Sequence, residues 1–159
     1  ALNQVAAKAV CFHLAATPEF AAVQKRVLAN ATAMAEEFKN QGYRLVSGGT
    51  DNHLVLVDLR PKGLTGRAAE EVLESTGIIV NRNVIPNDPQ PPDQASGIRV
   101  GASAISARGL ETAAARRIVS LIDAALSSAG RQEVLKHVTS EVAEICREFP
   151  VYSLDDKVF

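Results

Sequence analysis

Seven residues, His53-Leu54-Val55-Leu56-Val57-Asp58-Leu59, constrain the fold more than any other stretch of the 159-residue chain. The run is short and mostly apolar. Turn formers bound it, with Gly48-Gly49-Thr50-Asp51-Asn52 before and Pro61-Lys62-Gly63 after. A run of that length between such breakers is a strand rather than a helix. Leu54, Leu56 and Asp58 alternate with Val55, Val57 and Leu59, so both faces are largely apolar, which predicts a strand buried on both sides. A chain holding such a strand must also supply neighbouring strands and helices to cover them.

The rest of the sequence supplies both. Residues 2–15 read as a helix with an apolar stripe of Leu2, Val5, Ala6, Ala9, Val10 and Leu14. Thr17-Pro18-Glu19 then restarts the chain with a cap, a first-turn proline and an acid at the positive helix end. The helix that follows runs to about Gln41, with Phe20, Val23, Val27, Ala31, Met34 and Phe38 on one face, and Gly42 stops it. Tyr43–Val46 is short and β-prone. Thr65 caps a helix over about 66–76, with Ala69, Val72 and Leu73 inward. Ile78–Val80 reads as a strand, and residues 81–96, with Pro86, Pro89, Pro91 and Pro92, as a loop. Gly97–Gly101 reads as another strand. Helices over about 110–128 and 131–148 follow, burying Ile118, Leu121 and Ile122 in the first and Val134, Leu135, Val138, Val142 and Ile145 in the second. The order predicts an α+β fold: a small, mostly antiparallel sheet with helices on one face. A helix that begins at residue 2 with no cap before it favours a piece of a longer chain over one that has lost its initiator Met.

Composition excludes several classes. A net charge of −1 does not suit a nucleic-acid surface, which needs a basic excess. No apolar run reaches the roughly 18 residues that span a bilayer. Cys11 and Cys146 lie far apart, which indicates no disulfide framework and fits a reducing cytoplasm; each is expected to be a small buried apolar residue. His13 and His137 lack acidic or cysteine partners at metal-ligand spacing, and Cys11-Phe12-His13 places its side chains apart on a helix. His53 at a strand start reads as structural.

Arg99 draws attention because the remainder of its strand is Gly, Ile and Val. It is either an exposed strand arginine in a surface ion pair or a planar fork that captures a carboxylate. Asn81 and Asn83, at the head of the proline-rich loop, supply either amide contacts to a polar heterocycle or local turn bonds. Arg108 reads as an anion contact or a solvated turn residue. Pattern alone reaches no reaction.

A longer match does. Leu45-Val46-Ser47-Gly48-Gly49-Thr50-Asp51-Asn52-His53-Leu54-Val55-Leu56-Val57-Asp58-Leu59 resembles a characteristic segment of serine hydroxymethyltransferases. Further matches follow in the family's order: Leu64-Thr65-Gly66, Val80-Asn81-Arg82-Asn83, Pro86-Asn87-Asp88-Pro89, Ser96-Gly97-Ile98-Arg99-Val100-Gly101 and Arg108-Gly109. Ile145-Cys146-Arg147 and Phe149-Pro150-Val151-Tyr152 resemble its closing helix and tail. The resemblance spans essentially the whole chain. It implies the C-terminal part of a fold-type I pyridoxal-phosphate enzyme that moves a one-carbon unit between serine and tetrahydrofolate, leaving glycine. It further implies that Arg99 holds the substrate carboxylate and that Asn83 contacts the folate. Asn81, Asn52 and His53 are implied to be scaffolding, and Arg108 to be structural or ion-paired. Residues 1–17 would end the large-domain region, and 18–159 would form the C-terminal small domain. The Schiff-base lysine would lie upstream of Ala1, so the chain alone would be inactive and would need the N-terminal part of the enzyme, in a parent that is a cytoplasmic homodimer.

Two departures from the family's pattern bear on which substrate the resemblance implies. Asp93-Gln94-Ala95 stands where Phe-Val-Thr is usual, and Ala102-Ser103 where Thr-Pro is usual; Asn3 also replaces a usual His. Such changes keep open a relative acting on α-methylserine, a threonine aldolase or a transaldolase. A free-standing, non-catalytic interaction module is the rival from another class.

Overall fold

A computed structural model describes residues 1–151 of the chain. Tyr152 of the tail and Lys157 lie outside the described residues. Helix α1 covers Leu2–Ala15 and α2 Pro18–Asn40, followed by strand β1, Arg44–Leu45. Strand β2 is Leu54–Asp58, α3 is Gly66–Ser75, β3 is Asn81–Asn83 and β4 is Gly97–Gly101. Helices α4, Ser103–Ala107, α5, Thr112–Leu126, and α6, Gln132–Glu148, complete the described fold.

The expected start signals operate as chemistry requires. The Thr17 hydroxyl accepts a bond from the Phe20 N–H at 3.3 Å, and the Thr65 hydroxyl one from the Ala68 N–H at 3.2 Å. Each satisfies a donor that the first helical turn leaves without a partner.

The sheet order is β1-β2-β4-β3, with every neighbouring pair antiparallel. β2 and β3 therefore run parallel with β4 between them, and α3 makes the crossover. Register sets Leu56 opposite Arg99 and Arg99 opposite Asn81. Val55, Val57, Ile98 and Val100 are buried on one face of the sheet. Against them pack Val27, Ala31, Met34 and Phe38 of α2 and Ala69 and Leu73 of α3, with Val119 and Ile122 of α5 in the same core. Each fully buried Val, Leu, Ile or Phe contributes about 1.5–3 kcal/mol before chain entropy is subtracted. Tyr43 closes one end: its ring meets Phe38 edge-on at 5.5 Å, and its hydroxyl donates to Asp123 Oδ1 at 3.0 Å. Burial, with the Asp123 carboxylate beside it, pushes the Tyr43 phenol well above its ordinary pKa, so it stays a neutral donor.

Several sequence expectations need correction. β2 is less buried on its second face: Leu54 and Leu56 are partly exposed, because α2 and α3 share the other side and only the turn at 46–52 lies beside these two, while Asp58 on this face is buried under Arg60. The strand expected at Ile78–Val80 forms three residues later, at Asn81–Asn83. The N–H of Ile78 is occupied in closing α3, bonding the Leu73 carbonyl at 3.0 Å after Gly77 turns with φ +85°. β1 is cut to two residues because Ser47 adopts φ 64°. The short helix α4 was not anticipated. The stripe of α1 buries nothing, and Phe20 of α2 is exposed with it. Cys11 and Cys146 are both exposed rather than buried, Cys11 on the uncovered α1.

Candidate functional site

Side chains alternate across a strand, so burying Ile98 and Val100 sends Arg99 to the opposite, open face. Arg99 is exposed there, and one of its terminal nitrogens donates to Asn81 Oδ1 at 3.3 Å. Among the described residues it has no carboxylate within ion-pair distance, in contrast to Arg26, Arg44, Arg60, Arg67, Arg82, Arg116 and Arg117. Of the first pattern reading, exposure holds, and no surface ion pair forms among the described residues. The guanidinium sits in a recess of about 350 Å³ lined by His53, Leu54, Asn81, Gly101 and Ser103 among others. An arginine fork with most of its N–H donors free beside a concave surface is suited to a carboxylate held by two parallel bonds.

Asn83 lies two residues along β3 from Asn81, hence on the same face. It is half-buried, and its Nδ2 donates to the Val84 carbonyl at 2.7 Å. Between them Arg82 points the other way and pairs with Glu70 of α3. One face of the sheet thus gathers Leu54, Leu56, Arg99, Asn81 and Asn83.

The remaining candidates make bonds within the fold, although His53 also lines the Arg99 recess. Asn52 Oδ1 accepts from the Leu54 N–H at 3.0 Å, an Asx turn that starts β2. The His53 carbonyl accepts from the Ala102 N–H at 2.8 Å and ties β2 to the start of α4. Arg108 bonds the Phe149 and Cys146 carbonyls at 2.6 and 3.4 Å, capping α6. His13 and His137 are exposed, and no group of three His, Cys, Asp or Glu side chains is placed to hold a metal among the described residues.

Sequence reasoning assigned no role to Asp88, yet it organises the loop at 84–96. Oδ2 accepts from the Ile85 and Ser96 N–H groups at 3.2 and 2.9 Å; Oδ1 accepts from the Gln90 N–H at 3.0 Å and the Ser96 hydroxyl at 2.6 Å. The signal was present as an Asp among prolines, where an Asx turn is favoured. Burial would raise the Asp88 pKa, but the Ser96 hydroxyl and the three N–H donors outweigh it and bring the carboxyl down to about 2. Asp58, 1% exposed, is also lowered, first by its bonds from the Arg60 guanidinium. A carboxylate whose folded pKa is depressed stabilises the fold above its unfolded pKa of about 3.9 and loses that contribution as pH falls towards the folded value. Stability is therefore expected to drop steeply between pH about 4 and 2, and less steeply in Asp88→Asn; equal slopes in urea unfolding across that range would refute the assignment.

The sequence profile described as serine hydroxymethyltransferase matches residues 2–122. The serine hydroxymethyltransferase of Halorhodospira halophila is 48% identical over 151 residues, which is 95% of this chain and 36% of the relative. That of Myxococcus xanthus is 49% identical over 152 residues, 96% of this chain and again 36% of the relative. The chain thus spans about a third of the length of these relatives. No helix among the described residues is long and apolar enough to cross a membrane. A profile match over most of the chain, with these relatives beside it, settles the family: the chain belongs to the serine hydroxymethyltransferases.

Proposed function

We propose that this chain is the C-terminal part of an enzyme that interconverts serine and glycine with transfer of a one-carbon unit to tetrahydrofolate, and that it supplies the grip on the amino acid's carboxylate. The observation supporting this most strongly is the Arg99 guanidinium, exposed in a recess and bonded, among the described residues, only to Asn81. Held by that fork, a serine or glycine carboxylate is fixed in plane, which orients the α-carbon. Asn83, on the same face, is the folate contact in this reading.

Pyridoxal phosphate is the cofactor expected of the family, and the residues described here do not fit its attachment. None of Lys8, Lys25, Lys39, Lys62 and Lys136 lines the recess. Lys62, for example, sits over the Tyr43 ring at 4.5 Å and bonds the Gln41 carbonyl at 2.7 Å. The anchor is assigned to the part of the relatives' length that this chain does not span. α1, residues 2–15, has no buried residue and exposes Leu2, Val5, Phe12 and Leu14. This supports a boundary near residue 17, with α1 packing on that larger part. A cytoplasmic homodimer is the assembly expected with it.

One observation favours a second substrate. Ser103, where the family pattern has proline, lines the Arg99 recess. An enzyme acting on α-methylserine would keep Arg99 and change this lining.

The test uses the chain alone and a hybrid in which it replaces the matching stretch of the Myxococcus xanthus relative. The chain alone, titrated with pyridoxal phosphate, should give no visible absorbance band that responds to glycine. The hybrid should give one and cleave serine, with α-methylserine assayed beside it. A glycine-responsive band from the chain alone would overturn the division of labour, and a folded hybrid that binds neither amino acid would favour a non-catalytic interaction module.

A further inference from the structure

Four of the thirteen residues in the loop at 84–96 are prolines, which donate no backbone hydrogen bond. Little regular structure holds this loop, yet it joins the two strands that carry Asn83 and Arg99. One carboxylate binds it at three places. Asp88 accepts from Ile85 near the start, from Gln90 in the middle, and twice from Ser96 at the end. Ile85 is two residues after Asn83, and Ser96 is three before Arg99. The bonds to Ile85 hold its side chain, 3% exposed, over Gly97, the residue that faces Asn83 across the ladder. The far end is fixed separately: the Gly66 and Arg67 N–H groups at the start of α3 bond the Ala95 and Gln94 carbonyls, both at 2.9 Å. At the near end, next to Asn83, the backbone support is local to the loop: the Asp88 N–H bonds the Ile85 carbonyl at 3.1 Å. Asn83 ends a three-residue strand, where it pairs with Gly97 and its amide bonds the Val84 carbonyl; beyond it the Ile85–Asp88 bonds close the loop's first turn, and the Asp88 bonds to Ser96 tie that turn to the start of β4.

We propose that Asp88 is a positioning residue of the folate side of the site: by tying Ile85 to Ser96 it sets where Asn83 presents its amide. This rests on the reading of Asn83 as the folate contact. Asp88 need not touch substrate. An asparagine in its place keeps one acceptor oxygen but presents an N–H₂ on the other side, where a backbone N–H cannot pair with it, so at least one of the four bonds is lost even if the Ser96 hydroxyl turns to accept. Because the carboxyl is held near pKa 2, it is ionised and accepting throughout the working pH range.

The experiment compares Asp88→Asn, Ser96→Ala and Asn83→Ala in the hybrid enzyme, measuring kcat and KM for tetrahydrofolate and for serine together with the melting temperature. The expected result for Asp88→Asn is a folate KM raised about tenfold with kcat within about threefold and serine KM changed less than folate KM. Ser96→Ala, which removes only the hydroxyl bond, should raise folate KM about threefold and tests the idea if Asp88→Asn does not fold. A folate KM within twofold of the parent in both variants, whatever the melting temperature, overturns the proposal and leaves Asp88 a scaffold residue. Asn83→Ala separates the two levels. If it leaves folate KM unchanged, the folate reading itself fails. If it raises that KM while the Asp88 and Ser96 variants do not, only the positioning role fails.

Discussion

Arg99→Ala in the hybrid enzyme is expected to lower kcat/KM for serine about a thousandfold while leaving the melting temperature within about 2 °C of the parent. The two halves of this result have different causes. Arg99 is exposed and contributes its alkyl stem to no core, so the fold loses only the bond to Asn81. The substrate loses a charge-assisted, two-point hold on its carboxylate. Truncating one partner of a desolvated charge pair costs about 2–5 kcal/mol, and each 1.4 kcal/mol is tenfold. Arg99→Lys keeps the charge but not the planar fork, and should recover only part of the loss. A loss smaller than tenfold in Arg99→Ala would mean that the carboxylate is held elsewhere.

Gly97→Ala should be the most damaging single methyl group in the sheet. A Cβ at Gly97 would lie 2.6 Å from Ile85 Cγ2, 2.8 Å from the Val57 carbonyl oxygen and 3.0 Å from that of Asn83. The two oxygens belong to the strands on either side, so neither yields without opening a ladder. Overpacking of this kind costs about 3 kcal/mol, which for a chain of this size lowers the melting temperature by about 10 °C. Gly63 is the contrast. Its φ is +69° and nothing lies within 4 Å, so Gly63→Ala meets only the conformational penalty of about 1 kcal/mol. Equal melting temperatures for the two variants would show that the sheet relaxes around the added methyl.

Much of this arrangement was legible because it depends on local chemistry. Thr17-Pro18 and Thr65 mark helix starts by bonds within four residues, and Gly42 and Gly77 mark the ends. The strand at Gly97–Gly101 followed from its composition. What failed depended on partners that the local pattern does not name. Whether Leu54 and Leu56 are covered is decided by which side α2 and α3 take, and no residue in β2 states that. The three-residue offset of β3 was hidden because the Ile78 N–H serves the end of a helix rather than a ladder. Arg99 was legible as unusual from pattern, which left a surface ion pair and carboxylate capture both open, and the family resemblance favoured the second. Asn81 was passed over as scaffold, and its bond to Arg99 exists only through cross-strand register. Asp88 was quoted in a motif without a role, since its partners include a serine eight residues away.

The strand order has a practical meaning for altering substrate range. β4 is the inner strand between β2 and β3, so the backbone that bears Arg99 is bonded on both sides. Asp93, Gln94 and Ser103 lie outside that pairing, two in the loop and one at the start of α4. A combinatorial library at those three positions, of which Ser103 lines the recess, leaves the strand that carries the proposed carboxylate contact in register. Variation at Leu56 or Asn81 would instead disturb the partners directly opposite Arg99, and selections there should return few active clones.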